Sequence, residues 1–317
     1  MLDFSPAAAL ATDIIRTYLV IAVALLAGGA LVIAIAGAFG RDVSHAWASY
    51  RGWLMMIPLL LGSLILGRTT SIVFFTLVAL AAFKEYARAT GLYRQWAYCL
   101  AVYAGILAVG ATAWVHDPRL EQTGWYGLFM ALPVYAIALI LLLPTIYNRA
   151  AGQLQHVALA VVGFVYIGWM FGHLTFLTNA RHAYGYLLYL LCAVELNDVA
   201  AYTFGRLLGR HPLRSNISPG KTWEGALGAL GVSMSLPWLL QFSLPGFGAM
   251  ELILTGLIVG IGGQLGDLAM SAIKRDLDIK DMGVLIKGHG GILDRIDSLI
   301  YAAPLFFHMT RFTQGIY

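Results

Sequence analysis

The sequence predicts an all-α, polytopic integral membrane protein of about ten transmembrane helices, with its active site at the cytoplasmic face of the C-terminal half. Three observations predict it. Hydrophobic residues make up 60% of the chain and charged residues only 11%. The mean hydropathy is +0.77. The apolar residues fall in runs of about twenty, the length that spans a hydrocarbon core, whereas the charges crowd between Gln264 and Asp297.

Taken in order, the apolar runs place spans at Leu19–Phe39, Trp53–Gly67, Thr70–Phe83, Gln95–Val115, Gly124–Ile146, Val157–Thr178, Tyr184–Phe204, Trp223–Phe242, Glu251–Ile273 and Ile296–Thr310. The second, third and last are short. With the amino terminus outside, the inside loops hold fifteen Lys and Arg and the outside segments five. That bias orients the chain and puts the charged stretch in the cytoplasm. The amino terminus lacks a basic region, short apolar core and small-residue cleavage site, so the first span is expected to be retained. Cys99 and Cys192 both sit in apolar runs, which argues against a disulfide framework or a thiolate metal site. The net charge of +4 suits anionic lipid and phosphate ligands. No basic-aromatic pattern points to nucleic acid.

Residues 1–178 are expected to form a transmembrane scaffold and 179–317 a catalytic region. In the scaffold, Lys84, Glu85 and Arg88 are accounted for by snorkelling at a helix end, and His173 by hydrogen-bonded packing. Pro58, Pro133 and Pro144 kink or end their helices.

The second half differs in kind. Within its first span stand Glu195, Asn197 and Asp198, with Tyr202 and Arg206 beyond. Carboxylates at mid-bilayer cost at least about 2.5–3.5 kcal/mol each, so they face a cavity, a partner or an ion. Glu195, Asp198 and Tyr202 share one helical stripe, and an ion pair with Arg206 or Arg210 is the structural alternative. In the following loop, Ser218 and Pro219 read as N-cap and first residue of the next helix. Its free N–H groups, together with Lys221 and Thr222, would attract phosphate. Gly225, Gly228 and Gly231, and Gly256 with Gly260, permit close helix packing.

In the charged stretch itself, Asp267, Ser271, Lys274 and Asp278 fall on one helical face. Gly288, His289, Gly290 and Gly291 form a turn that lets backbone approach a ligand. Asp294 and Asp297 then share a face of a restarted helix, with Arg295 between them. Carboxylates without cysteine suit a hard, oxygen-preferring ion such as magnesium. Cations beside glycine turns suit phosphates. Together they point to phosphoryl or nucleotidyl transfer onto a lipid, without choosing the nucleotide.

The choice comes from a resemblance. Ser271, Lys274-Arg275, Lys280-Asp281, His289 to Gly291 and Asp294 to Asp297 stand at the spacing of the phosphatidate cytidylyltransferase (CDP-diacylglycerol synthase) signature, which this segment resembles. Asn197-Asp198, Ala201-Tyr202, Gly205-Arg206, Ser218-Pro219, Lys221-Thr222 and Glu224-Gly225 are similar to that family's other shared segment. Lys287 departs from the usual proline or small residue, and Met282 is bulkier than expected beside Gly283. Both departures bear on the acceptor lipid.

The resemblance implies transfer of CMP from CTP to phosphatidate, giving CDP-diacylglycerol and pyrophosphate. It implies magnesium held by Asp267 and Asp294 with Asp297 and Asp281 beside them, and leaves a second cation open. Asp267, Lys274, Arg275, Asp294 and Asp297 would carry catalysis. Lys221, Lys280 and Arg295 would join Lys274 and Arg275 in binding the triphosphate or lipid phosphate, with Arg206, Ser218, Thr222, Ser271 and Asp281 in the same binding set. His289 would donate to a phosphate, Gly290 and Gly291 would offer backbone N–H groups, and Asn197 and Asp198 would orient a ligand or second ion. Asp276 and Asp278 read as solvated helix-end charges. The family implies a homodimer, and the chain's compactness favours a bacterial inner membrane. Two alternatives stand: a paralogue acting on another lipid phosphate, and a cation- or proton-coupled transporter built on Glu195 and Asp198.

Overall fold

The computed structural model of the protein describes residues 6–117, 122–283 and 290–315. A short helix, α1 (Pro6–Ala11), leads into α2 (Asp13–Ala38), α3 (Ser44–Ile65), α4 (Arg68–Ala89) and α5 (Trp96–Trp114). A two-residue antiparallel pair, β1 (His116–Asp117) with β2 (Gln122–Thr123), links α5 to α6 (Tyr126–Ile146). The next rod is α7 (Gln153–Val162), a π-helical stretch (Gly163–Met170) and α8 (Phe171–Leu177) end to end. Then come α9 (Ala183–Leu208), an antiparallel pair of β3 (Pro212–Arg214) and β4 (Ser218–Thr222), and α10 (Trp223–Leu239). The last two rods are α11 (Ala249–Leu257) continued through a π-helical turn (Ile258–Gly262) into α12 (Gly263–Asp276), and α13 (Leu293–Gln314).

Among the described residues, eight helices are long and apolar enough to cross a membrane. The protein is an all-α polytopic integral membrane protein. The eight exclude α10, which has 17 residues, and α13, which carries Asp294, Arg295 and Asp297 at its start. Pro58 lies inside α3, and Pro133 and Pro144 inside α6, without ending either helix. Membrane helices tolerate this because neighbours and local adjustment satisfy the freed carbonyls.

The core is aromatic. Phe129 packs on Phe176 and on His173, each with ring centroids 4.8 Å apart. His173 is fully buried, its Nδ1 3.0 Å from the Trp169 carbonyl and its Nε2 3.2 Å from Nε2 of His308. It packs, as its position in the sequence implies. Through this core runs α13, against α4, α8, α9 and α12.

Close helix approach follows small residues. Gly225 of α10 leaves room for the Ala201 carbonyl and Gly205 of α9, and Gly228 for the ring of Phe204. Gly256 and Gly260 seat the 249–276 rod against Ser233, Met234 and Leu230 of α10. Gly231 differs: a side chain there would meet open space.

Two local expectations are corrected. Ser218 and Pro219 do not begin a helix; they lie in β4, paired across the hairpin with β3. The residue that caps α10 is Thr222, whose side chain accepts from the Gly225 N–H at 3.1 Å. Asp278 does not continue the face of Asp267, Ser271 and Lys274, because α12 ends at Asp276 and Asp278 has φ +54°.

Candidate active site

Three helices and one hairpin converge at the charged end of the bundle. Helices α9 and α12, the start of α13 and the β3–β4 hairpin that leads into α10 together supply Asp198, Lys221, Asp267, Lys274, Asp294 and Asp297. Lys221 Nζ lies 2.5 Å from Asp267 Oδ2. Lys274 Nζ lies 3.0 Å from Asp294 Oδ1 and 4.0 Å from Asp297 Oδ2. A half-open cavity of about 430 Å³ is lined by Asp198, Tyr202, Arg206, Lys221, Thr222, Gln264 and Asp267, among others.

The carboxylates are held by neighbours in sequence and in space. Ser271, one turn along α12, donates to Asp267 Oδ1 at 3.2 Å. Ser298 donates to Asp198 Oδ2 at 3.0 Å across the α9–α13 contact. Asn197 is wholly buried, and its Oδ1 accepts from Ser233 of α10 at 3.0 Å. Its position orients the backbone that presents Asp198. Gly263 and Gly266 let α12 sit close to Asn197 and to the Asp297 carbonyl respectively. A π-helical turn directly precedes them, a distortion often found at functional sites.

Asp294 is the most heavily bonded member. Its Oδ1 accepts from Lys274, and its Oδ2 accepts from the N–H groups of Met282 and Gly291, each at 2.9 Å. Both it and Asp297 are 7% exposed. Removing one partner of a buried charge pair costs about 3–5 kcal/mol, so Asp294 fixes the two flanks of the 283–290 segment as well as Lys274. The φ of +80° at Gly290 lets the chain turn back onto that carboxylate. Met282, bulky in sequence, is buried and contributes its backbone.

Other expected residues have different partners. Arg275 donates to the Ile217 and Ile279 carbonyls at 3.2 and 3.1 Å, tying the hairpin loop to the end of α12. Arg206 donates to the hydroxyl of exposed Tyr202 at 2.9 Å, and among the described residues neither Arg206 nor Arg210 forms an ion pair with Glu195. The nearby charges that act on Glu195 are Asp198 and Arg295. Lys280 and Asp281 are exposed at the rim, with Asp281 beside Gly290. Ser218 is half-buried in β4. His289, with Lys287 and Gly288, lies outside the described residues.

One member was not foreseen. Glu85, at the end of α4, accepts the Leu293 N–H at 2.9 Å, although 208 residues separate the two in the chain. Nothing in its local sequence distinguishes it from a snorkelling charge.

The donor set fits a hard divalent cation in kind. Asp198, Asp267 and Asp297 lie close enough to repel one another. Four carboxylates, counting Asp294, face two ammonium groups, leaving a formal charge of −2. Among the described residues Asp267, Asp294 and Asp297 are turned to the lysines and Asp198 to Ser298, and no three His, Cys, Asp or Glu side chains converge as a ready-made metal cluster.

A membrane-embedded bundle with carboxylates, lysines and a cavity at one end defines a class of enzyme that handles polyanions at a lipid surface. Residues 47–313 match the cytidylyltransferase family, and the chain belongs to it. The phosphatidate cytidylyltransferase of Staphylococcus haemolyticus is 34% identical over 253 residues, covering 80% of this chain and 92% of that protein. That of Staphylococcus epidermidis is 32% identical over 254 residues, with the same coverage of 80% and 92%. The uncharacterized protein YnbB of Escherichia coli strain K12 is 32% identical over 252 residues, covering 77% of this chain and 80% of its own.

Proposed function

We propose that the protein transfers CMP from CTP to phosphatidate, forming CDP-diacylglycerol and pyrophosphate in phospholipid biosynthesis. The observation that carries this reading is an open cavity lined by Asp198, Lys221 and Asp267, with Lys274 held by Asp294 and Asp297 on the neighbouring turns of α12 and α13, in a chain of the cytidylyltransferase family.

The lipid phosphate oxygen attacks the α-phosphorus of CTP, and the bond to the β-phosphate breaks as pyrophosphate leaves with its electron pair. The second pKa of a phosphomonoester is about 6, so the attacking oxygen is already largely ionised at neutral pH and needs no strong base. The protein's task is to hold two polyanions together and to neutralise developing charge. Lys221 and Lys274, already poised against carboxylates, bind phosphate oxygens; the Thr222 hydroxyl, which accepts from Gly225, has its own hydrogen left to donate. Lys280 and Arg295 stand at the periphery of this set. Asp267 and Asp297, with Asp198 beside them, would hold magnesium, which when bound supplies positive charge to the triphosphate. Asp294 keeps Lys274 and the glycine turn in place around them.

The site faces the cytoplasm of a bacterial inner membrane in this reading, in keeping with the fifteen-to-five distribution of basic residues. Ten crossings, a scaffold of residues 1–178 and a homodimer complete it. The polar residues gather at one end of the bundle, which favours surface chemistry over the midplane pathway of a transporter.

The test is product analysis. Purified protein given CTP and phosphatidate should yield CDP-diacylglycerol by mass spectrometry. CMP or CDP without a nucleotide-bearing lipid would contradict the reading. Everted vesicles should consume added CTP, and right-side-out vesicles should not.

A further inference from the structure

The first turn of α13 has backbone donors and no cap of its own. Its N-cap residue, Ile292, provides no side-chain hydrogen bond, and an uncapped helix start leaves N–H groups unsatisfied. Glu85 of α4 accepts from Leu293 at 2.9 Å. Its other oxygen is shut away from solvent. The fit is close on two further sides: a Cβ at Gly283 or at Gly291 would overlap the Glu85 carboxylate. Gly291 in turn donates to Asp294, which holds Lys274. Glu85 and Asp294 therefore grip the same short stretch of backbone from opposite sides, and the amides between them separate two like charges.

We infer that Glu85 is a positioning residue for the reaction: arriving from the half of the chain that otherwise packs as scaffold, it caps α13 in trans and fixes the Gly290–Gly291 turn against Asp294. The inference rests on the nucleotidyl-transfer reading for its effect on rate, and on geometry alone for its effect on the backbone. It also gives Gly283 and Gly291 a reason to lack side chains, namely the volume of Glu85.

The experiment uses the full-length protein in detergent with CTP and phosphatidate. Glu85→Ala should lower kcat about 30-fold or more and leave KM for CTP within about threefold, as expected when reacting groups are misplaced and not removed. Glu85→Gln, which keeps one acceptor oxygen, should lie between it and the wild type. Gly291→Ala should cost about tenfold or more in the wild-type background and about twofold or less in Glu85→Ala, where the methyl finds space. Hydrogen exchange of the 290–297 backbone should quicken in Glu85→Ala whether or not phosphatidate is the acceptor. Should Glu85→Ala fail to fold, Glu85→Asp, with its charge withdrawn by one methylene, takes its place in both the cycle and the exchange measurement. A kcat within twofold of wild type, multiplicative effects in the double variant, or unchanged exchange would each overturn the role. If the wild-type protein does not use phosphatidate but exchange still quickens, the reading of the reaction has failed and the capping role stands.

Discussion

Helices α2 and α13 are of similar length, 26 and 22 residues, and have opposite surroundings. The most apolar window of α2 has no buried residue, and Val20, Leu31 and Val32 are all more than 60% exposed. Helix α13 carries Asp294 and Asp297 in its first turns, yet both are buried and the helix packs against α4, α8, α9, α11 and α12. A helix whose whole surface is apolar can face lipid. A helix with carboxylates near the membrane must face other protein, and specifically the cations that compensate them. The difference teaches that in this chain the packed interior is where the charge is, and that charge, not hydropathy, locates the chemistry.

Substitutions at the two ends of this comparison should differ by orders of magnitude. Asp294→Asn should abolish measurable turnover, a loss of roughly 10³-fold or more in kcat, in protein that still elutes as a folded species; normal activity would remove Asp294 from the site. Asp267→Asn should be of the same order. Removal of divalent cations with a chelator should stop the reaction and added magnesium should restore it, whereas activity persisting in chelator would contradict the charge deficit argued for the aspartates. Lys221→Ala should lower kcat/KM for CTP about 100-fold, because it removes a phosphate ligand while leaving Asp267 partly exposed to water. Gly185→Ala tests packing away from the chemistry. Its Cβ would overlap the Ser243 carbonyl, so thermal stability in detergent should fall by about 1–3 kcal/mol with kcat unchanged in the protein that remains folded. At the far end, Leu31→Ala on α2 should change activity by less than about twofold; a large loss there would mean that this face meets something other than lipid.

Much of the bundle was legible, because apolar runs of membrane length read directly as helices. The charged rods were legible for a related reason. Asp267, Ser271 and Lys274 share a face by helical spacing alone, as do Asp294 and Asp297, and both groups point into the site. What failed was whatever depended on partners remote in sequence. Ser218-Pro219 carries a strong local helix-start signal, but pairing with β3 across the hairpin holds it extended and moves the cap to Thr222. The spacing places Asp278 on a helical stripe, but the chain turns through positive φ there and leaves the helix. The carbonyls that Arg275 holds, one of them 58 residues away, were likewise not legible from its spacing. Glu85 is the clearest case, since its role depends on a contact spanning 208 residues that no periodicity encodes. A sequence signal could have hinted at it only indirectly, through Gly283 and Gly291, whose missing side chains leave the space it fills.

The most direct test of the central claim is release of pyrophosphate by the purified, detergent-solubilised protein with magnesium and CTP, measured with and without phosphatidate. The account predicts release only when both substrates are present, in step with the appearance of a CDP-linked lipid. Release from CTP alone, or none from folded protein with both substrates, would contradict it.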